Sequence, residues 1–351
     1  MPATPPRSPG PTIADVRAAL DSARNSAAPV EVELLGASFV LSGYPLVIAG
    51  GNVTLRSSGE PATFDAHRLS SVLAVSGGAN AQLLNVRLIN GLAVGTGGGV
   101  AVWGSGTACT LRLCHLENCK SFDSGGAVCV WKEGSVLLFD SSVGGCNGGE
   151  LGGAAAVYYS GSVTVVGTNV SRCTARSGAA FGTWMGRQPV GSNVLIIIGS
   201  LIEECSTIQG SGAGVRVWQN SHVTLVDTKI SRCSAEGIGG GVHLVTDAGN
   251  GLSLSAVLIG VVVSGCSAQR GGAIGMLSGI CRLANGTLLT NGSASTGSLI
   301  YAEGGVLTYL LPAPLGYWIS GELCEKYTEP CPASAPICDR SLQPPSELQR
   351  W

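Results

Sequence analysis

The heptapeptide GGAVCVW, residues 125–131, decides the fold, because the chain repeats it in altered forms. GGGVAVW begins at Gly97, GGAAAVY at Gly152, GAAFGTW at Gly178, GAGVRVW at Gly212, GGGVHLV at Gly239 and GGAIGML at Gly271. Successive starts are 28, 27, 26, 34, 27 and 32 residues apart. A second segment follows within each unit. SVLLFDSSVGGC ends at Cys146, SVTVVGTNVSRC at Cys173 and HVTLVDTKISRC at Cys233, with variants ending at Cys119, Cys205 and Cys266. Both segments alternate apolar and variable residues, the period of a half-buried strand.

A unit this short cannot bury a face alone, but a stack of units buries a continuous core. No helical pattern separates the strands, so each unit closes into a coil and not a strand–helix–strand crossover. The sequence therefore predicts an all-β fold, a right-handed parallel β-helix (solenoid) with a short N-terminal capping helix. The paired glycines suit corners that need positive φ or close backbone approach. The helix is read from Thr12-Ile-Ala-Asp15, a capping-box pattern. Ile13, Val16, Leu20 and Ala23 follow it at helical spacing. Such a helix would cover the open end of the first coil, which otherwise exposes unpaired strand edges. The expected organisation is residues 1–29 as arm and capping helix, 30–310 as solenoid, and 311–351 as a tail containing Pro and Cys.

Composition agrees. Gly contributes 53 of 351 residues, charged residues only 12% and hydrophobic residues 45%. That mixture excludes a disordered chain and a soluble helical bundle. A net charge of −2 points away from nucleic acid. The most apolar run, Val194 to Ile198, is far short of the ~20 residues of a membrane span. No apolar leader follows Met1, so two readings stand: an intracellular protein, or a chain whose true start lies upstream. Four glycosylation sequons, at Asn52, Asn169, Asn285 and Asn291, would matter only in a secretory setting.

Equivalent positions in a solenoid stack into ladders about 4.8 Å apart. Cys119, Cys146, Cys173, Cys205, Cys233 and Cys266 form one. They are expected to fill a core corner as small apolar thiols, since metal sites show local CxxC pairs or nearby His and Asp, which these lack. Trp103, Trp131, Tyr158, Trp184 and Trp218 form a second ladder. As an exposed row it would stack sugars or an apolar partner; the competing reading is a ridge of rings stacked on one another. Arg172, Glu204 and Arg232 form a third, of alternating sign, read as structural. No catalytic residue and no metal ligand set is assigned. Asp140 and Asp227 share a repeat position but stand three coils apart, as do Glu117 and Glu203, too far for the paired carboxyls of glycoside hydrolysis. The histidines His67, His115, His222 and His243 are scattered, and no cofactor is implied. In the tail, the close spacing of Cys324, Cys331 and Cys338 suggests a disulfide-stapled module if the compartment is oxidising.

Over roughly residues 95 to 300 the units resemble the repeats of chlamydial polymorphic outer-membrane proteins. Those repeats carry GGA followed by Ile, Leu or Val, preceded by Phe-x-x-Asn. GGAV at Gly125 and GGAI at Gly271 match the first motif. Val170-Ser-Arg-Cys173, Ile230-Ser-Arg-Cys233 and Val263-Ser-Gly-Cys266 resemble the second, with Cys for Asn and an aliphatic residue for Phe, while Asn291 restores the Asn. PAPLGYW, residues 312–318, followed by spaced cysteines, looks like the start of cysteine-rich modules in algal and protist surface proteins. The resemblance implies a secreted or cell-surface protein with an adhesive role and a glycan or surface protein as partner. The wider pectin-lyase-like superfamily makes a polysaccharide lyase or glycoside hydrolase the alternative, and a purely structural rod is the third reading.

Overall fold

A computed structural model describes residues 10–184, 191–246, 254–284 and 286–309, together with the backbone strands Tyr317–Ser320 and Leu323–Lys326. The chain winds into a parallel β-solenoid with three long faces. Face A is an eleven-stranded sheet, face B a ten-stranded sheet, and face C a twelve-stranded sheet that carries the heptapeptides. A short five-stranded sheet lies between faces B and C. Pairing runs one coil to the next in register: Val100 with Val128, Val102 with Val130 and Trp103 with Trp131. The antiparallel pair Tyr317–Ser320 and Leu323–Lys326 closes the last edge of face C.

Alternation puts one residue set inside. On face A, Val136 and Leu138 lie over Val163 and Val165, then over Leu195 and Ile197, all buried. Corners follow from backbone sterics. The first glycine of every heptapeptide from Gly97 to Gly271 has φ between 58° and 73°, a region costly to any residue with a Cβ. The second glycine answers a different need. A Cβ at Gly126 would lie 2.5 Å from the carbonyl carbon of Asn147 and the oxygen of Gly153.

Asp140, Gly167, Gly199 and Asp227 all sit at one corner with φ between 45° and 58°, which explains their shared position as turn chemistry. Behind that corner runs a buried hydroxyl column. Ser141 donates to the carbonyl of Phe139 (2.8 Å), Thr168 to Val166 (3.0 Å) and Thr228 to Val226 (2.9 Å). Each hydroxyl also accepts from the coil before, as Thr168 does from the Ser141 N–H (3.3 Å).

The helix Ile13–Ala23 covers the first coil, with Val16, Leu20 and Ala23 buried. Its capping box is made: the Thr12 N–H donates to Asp15 Oδ2 (2.8 Å), and the Asp15 N–H donates to the Thr12 hydroxyl (3.3 Å). Within the predicted loop Arg187 to Ser192, the first four residues lie outside the described residues, as does Asn285. The same holds for the side chain of Cys324 and for Cys331 and Cys338 in the tail. No helix among the described residues is long and apolar enough to cross a membrane.

Candidate functional site: a cleft along face C

The six cysteines stand in a line. The residues that follow them pair in register, Lys120 with Asn147, Asn147 with Thr174, Thr174 with Ser206, and Ser206 with Ser234 and then Ser267. Every thiol in the line is buried. Each donates to the carbonyl two residues back, from 3.4 Å at Cys205 to 3.7 Å at Cys266. The residue before each cysteine has positive φ, Arg172, Glu204 and Arg232 included, so each thiol sits at a tight corner. The neighbouring thiols of Cys119 and Cys173, with burial, push the Cys146 thiol up. Burial keeps the line as a whole uncharged. Among the described residues no cluster of His, Cys, Asp or Glu is arranged to hold a metal ion. Of the charge ladder, Arg232 pairs with Glu203 (2.7 Å) and Glu204 (3.1 Å).

The aromatic ladder lies on the outer surface of face C, and its two ends differ. Trp103 and Trp131 stack with ring centroids 5.1 Å apart and planes 11° off parallel, so each spends a face on the other. Further along, Trp184 stands at 76° to Tyr158, 75° to Tyr159 and 64° to Trp218. A ring that meets its neighbour edge-on keeps both of its faces outside that contact. Trp218 is covered by Arg216, whose guanidinium carbon lies 4.3 Å from the ring centroid.

Trp131, Tyr158, Trp184 and Trp218 form one wall of a cleft of about 780 Å³ that runs across consecutive coils; Trp103 lies outside it. Asp123, Glu150 and Arg176 stand on the other wall, each two residues before the first glycine of its heptapeptide. The Glu150 N–H donates to the Asp123 carbonyl (2.5 Å), and Arg176 pairs with the Glu150 carboxylate (3.4 Å). Between the walls lies a small apolar cluster of Cys129, Leu151 and Ala156. Leu151 reaches it because pairing slips between Gly148 and Leu151, which bends that strand over the floor. Position 182 is glycine for the same reason, since a Cβ there would lie 2.3 Å from the Leu151 side chain.

One hydrogen-bonded chain crosses the cleft. The Tyr158 hydroxyl donates to Ser124 Oγ, which donates to Asp123 Oδ1 (3.1 Å). Burial pushes the Tyr158 phenol well up, and Cys129, Asp123 and Glu150 nearby push it further, so it is a neutral donor at pH 7. The cleft thus joins ring faces to fixed donors and acceptors, the pairing that grips a ligand with an apolar face and polar edges.

Sequence reasoning found the aromatic wall and missed Asp123, Ser124, Glu150, Arg176 and Tyr159. The signal available was their fixed offset from the glycines, which only a coil-by-coil alignment exposes.

The family model for the right-handed β-helix region matches residues 52–282 of this chain. No curated protein and no solved structure matches it.

Proposed function

On the premise that the chain belongs to the right-handed β-helix family, we propose that it is a non-catalytic binding protein that holds an extended carbohydrate in the cleft on face C. The observation that carries this reading is Trp184 meeting Tyr158 at 76° and Tyr159 at 75° in a cleft that Asp123 and Glu150 also line. A pyranose offers an apolar face to a ring and hydroxyls to carboxylates and guanidinium groups, and both partners line this cleft. The proposed setting is a cell surface or the extracellular space. It is supported by the surface-protein resemblance of the repeats and by the exposed sequon residues Asn52, Asn169 and Asn291.

The test is a glycan array followed by calorimetry. Trp184→Ala and Tyr159→Ala are expected to lower affinity at least tenfold while the β-sheet circular dichroism signal is kept; unaltered binding discards the cleft as the site.

A second reading, glycoside hydrolysis, is favoured by one observation. Asp123 and Glu150 occupy the same wall on consecutive coils, the proximity that a pair of catalytic carboxyls needs. Its test is reducing-end release from whichever glycan binds. Turnover that Asp123→Asn abolishes while binding persists would make the protein an enzyme.

A further inference from the structure

Face A differs from face B in its outer side chains. Its five consecutive strands from Ser135–Phe139 to Leu254–Ile259 turn 15 side chains outward. Nine are Val, Ile, Leu or Phe, five are Ser or Thr, one is His222, and none is Asp, Glu, Lys or Arg. On face B the outer positions of the matching coils carry Glu203 and Lys229. Pairing across the five strands of face A is in register with no bulge, so the apolar side chains form one unbroken field. At about 24 Å by 16 Å, it has the size at which an exposed apolar patch marks a contact site.

The partner must match an even, uncharged sheet. An anionic lipid surface matches poorly, because Asp140 and Asp227 stand exposed at the corner beside the last apolar column. A second copy of the same face matches well, since sheets stack face to face about 10 Å apart with their side chains interdigitated. A two-fold axis through Asn193–Ile198 lays that strand over its own copy, and Ser135–Phe139 over Leu254–Ile259 of the second copy. Nine of the eleven strands then overlap. They cover roughly 43 Å by 16 Å, about 700 Å² on each copy, close to the 800 Å² or so per partner of a standard interface. Val30–Glu33 and Asn52–Arg56 fall outside the overlap. Those two strands carry Arg56, Glu31 and Glu33, which pair with one another at 2.6 and 3.0 Å. Arg112 and Arg282, the charges left inside, lie toward its two ends.

We propose that face A is the interface of a two-fold dimer of this chain, with Leu137, Phe139, Val166, Ile196, Ile198 and Val257 toward its centre. Apolar burial holds the two copies together, so salt does not loosen them. Salt tightens them instead, because the axis brings the strand bearing Arg112 over the strand bearing Arg282 of the second copy, and screening relieves that approach of like charges. The cleft lies on face C, so the dimer and the ligand reading stand or fall separately.

The experiment is sedimentation velocity of the full chain at about 10 μM, since interfaces of this area hold at micromolar affinity or tighter. Expected is a species of twice the chain mass that added NaCl tightens. Ile196→Lys and Val166→Lys, both pointing outward on the sheet, are each expected to raise the dissociation constant at least tenfold with the β-sheet circular dichroism signal kept. Should a lysine variant fail to fold, Ile196→Ser is expected to move the constant in the same direction. A monomer at every concentration tested overturns the proposal, as does a dimer that salt dissociates or that the variants leave intact. A monomer that cosediments with phosphatidylcholine vesicles, and ceases to with Ile196→Lys, assigns the face to a lipid surface and overturns it too.

Discussion

The strand Val128–Trp131 has two sides with different histories. Inward, Val128 and Val130 stand in columns with Val100, Ala155 and Phe181, and with Val102 and Val157, all apolar and all buried. Outward, Cys129 belongs to a column that changes from Ala and Gly to Arg and His, and Trp131 to a row of rings whose geometry turns from stacked to edge-on. The inner columns change mainly in size, with Thr183 above Val157 the exception; the outer ones change chemistry from coil to coil. Packing constrains the first set, since each coil must fit its neighbours on both sides. The second set is free to vary.

The sharpest break of that contrast is a charge on the inner side. Val130→Asp buries an unpaired carboxylate and is expected to cost more than about 4 kcal/mol, leaving no β-sheet signal by circular dichroism. A folded, soluble variant would undo the inner–outer distinction.

Next in size is pH. His243 binds a proton far less readily folded (about 3) than unfolded (about 6.5), so the unfolded chain takes up protons first as pH falls below 6.5. Stability should therefore decline from pH 6.5 toward pH 3 by up to ~1.4 kcal/mol per pH unit. Urea unfolding of His243→Leu should lack that component; an identical slope would remove His243 from the account.

Thr168→Val tests the buried hydroxyl column and strands the Ser141 N–H, at an expected cost of about 1–3 kcal/mol in urea unfolding. Smaller again, Trp103→Ala removes one stacked pair, worth about 0.5–1.5 kcal/mol of melting stability, and should leave ligand affinity unchanged, because Trp103 lies outside the cleft. Glu150→Gln should shift stability least, below about 1 kcal/mol, since its ion pair with Arg176 is some 60% exposed on both sides.

The fold was legible because repetition magnifies weak signals. Alternation in one strand says little, but Val136, Val163 and Val223 at matching positions say coil. The cysteine line was legible for the same reason, being one residue type at one position. The hydroxyl column escaped notice because Cys114, Ser141, Thr168 and Ser200 share an atom's placement and not a name. The charged wall escaped because three side chains of mixed sign at one offset look like noise until register aligns them. His243 was read as one scattered histidine, although it shares the fifth heptapeptide place with Arg216. Asp140 and Asp227 were weighed as catalytic candidates, and their positive φ shows why acids recur there.

The helix seated on the first coil gives the molecule a fixed origin. Every later coil is placed by counting from it, one rung of about 4.8 Å at a time. Duplicating a single coil would slide all downstream surface by one rung; whether the cleft moved whole or was divided would depend only on where the copy landed. Length is therefore the property this chain can alter most readily, and the distance from the capped end to the cleft is a number the gene can edit in whole steps.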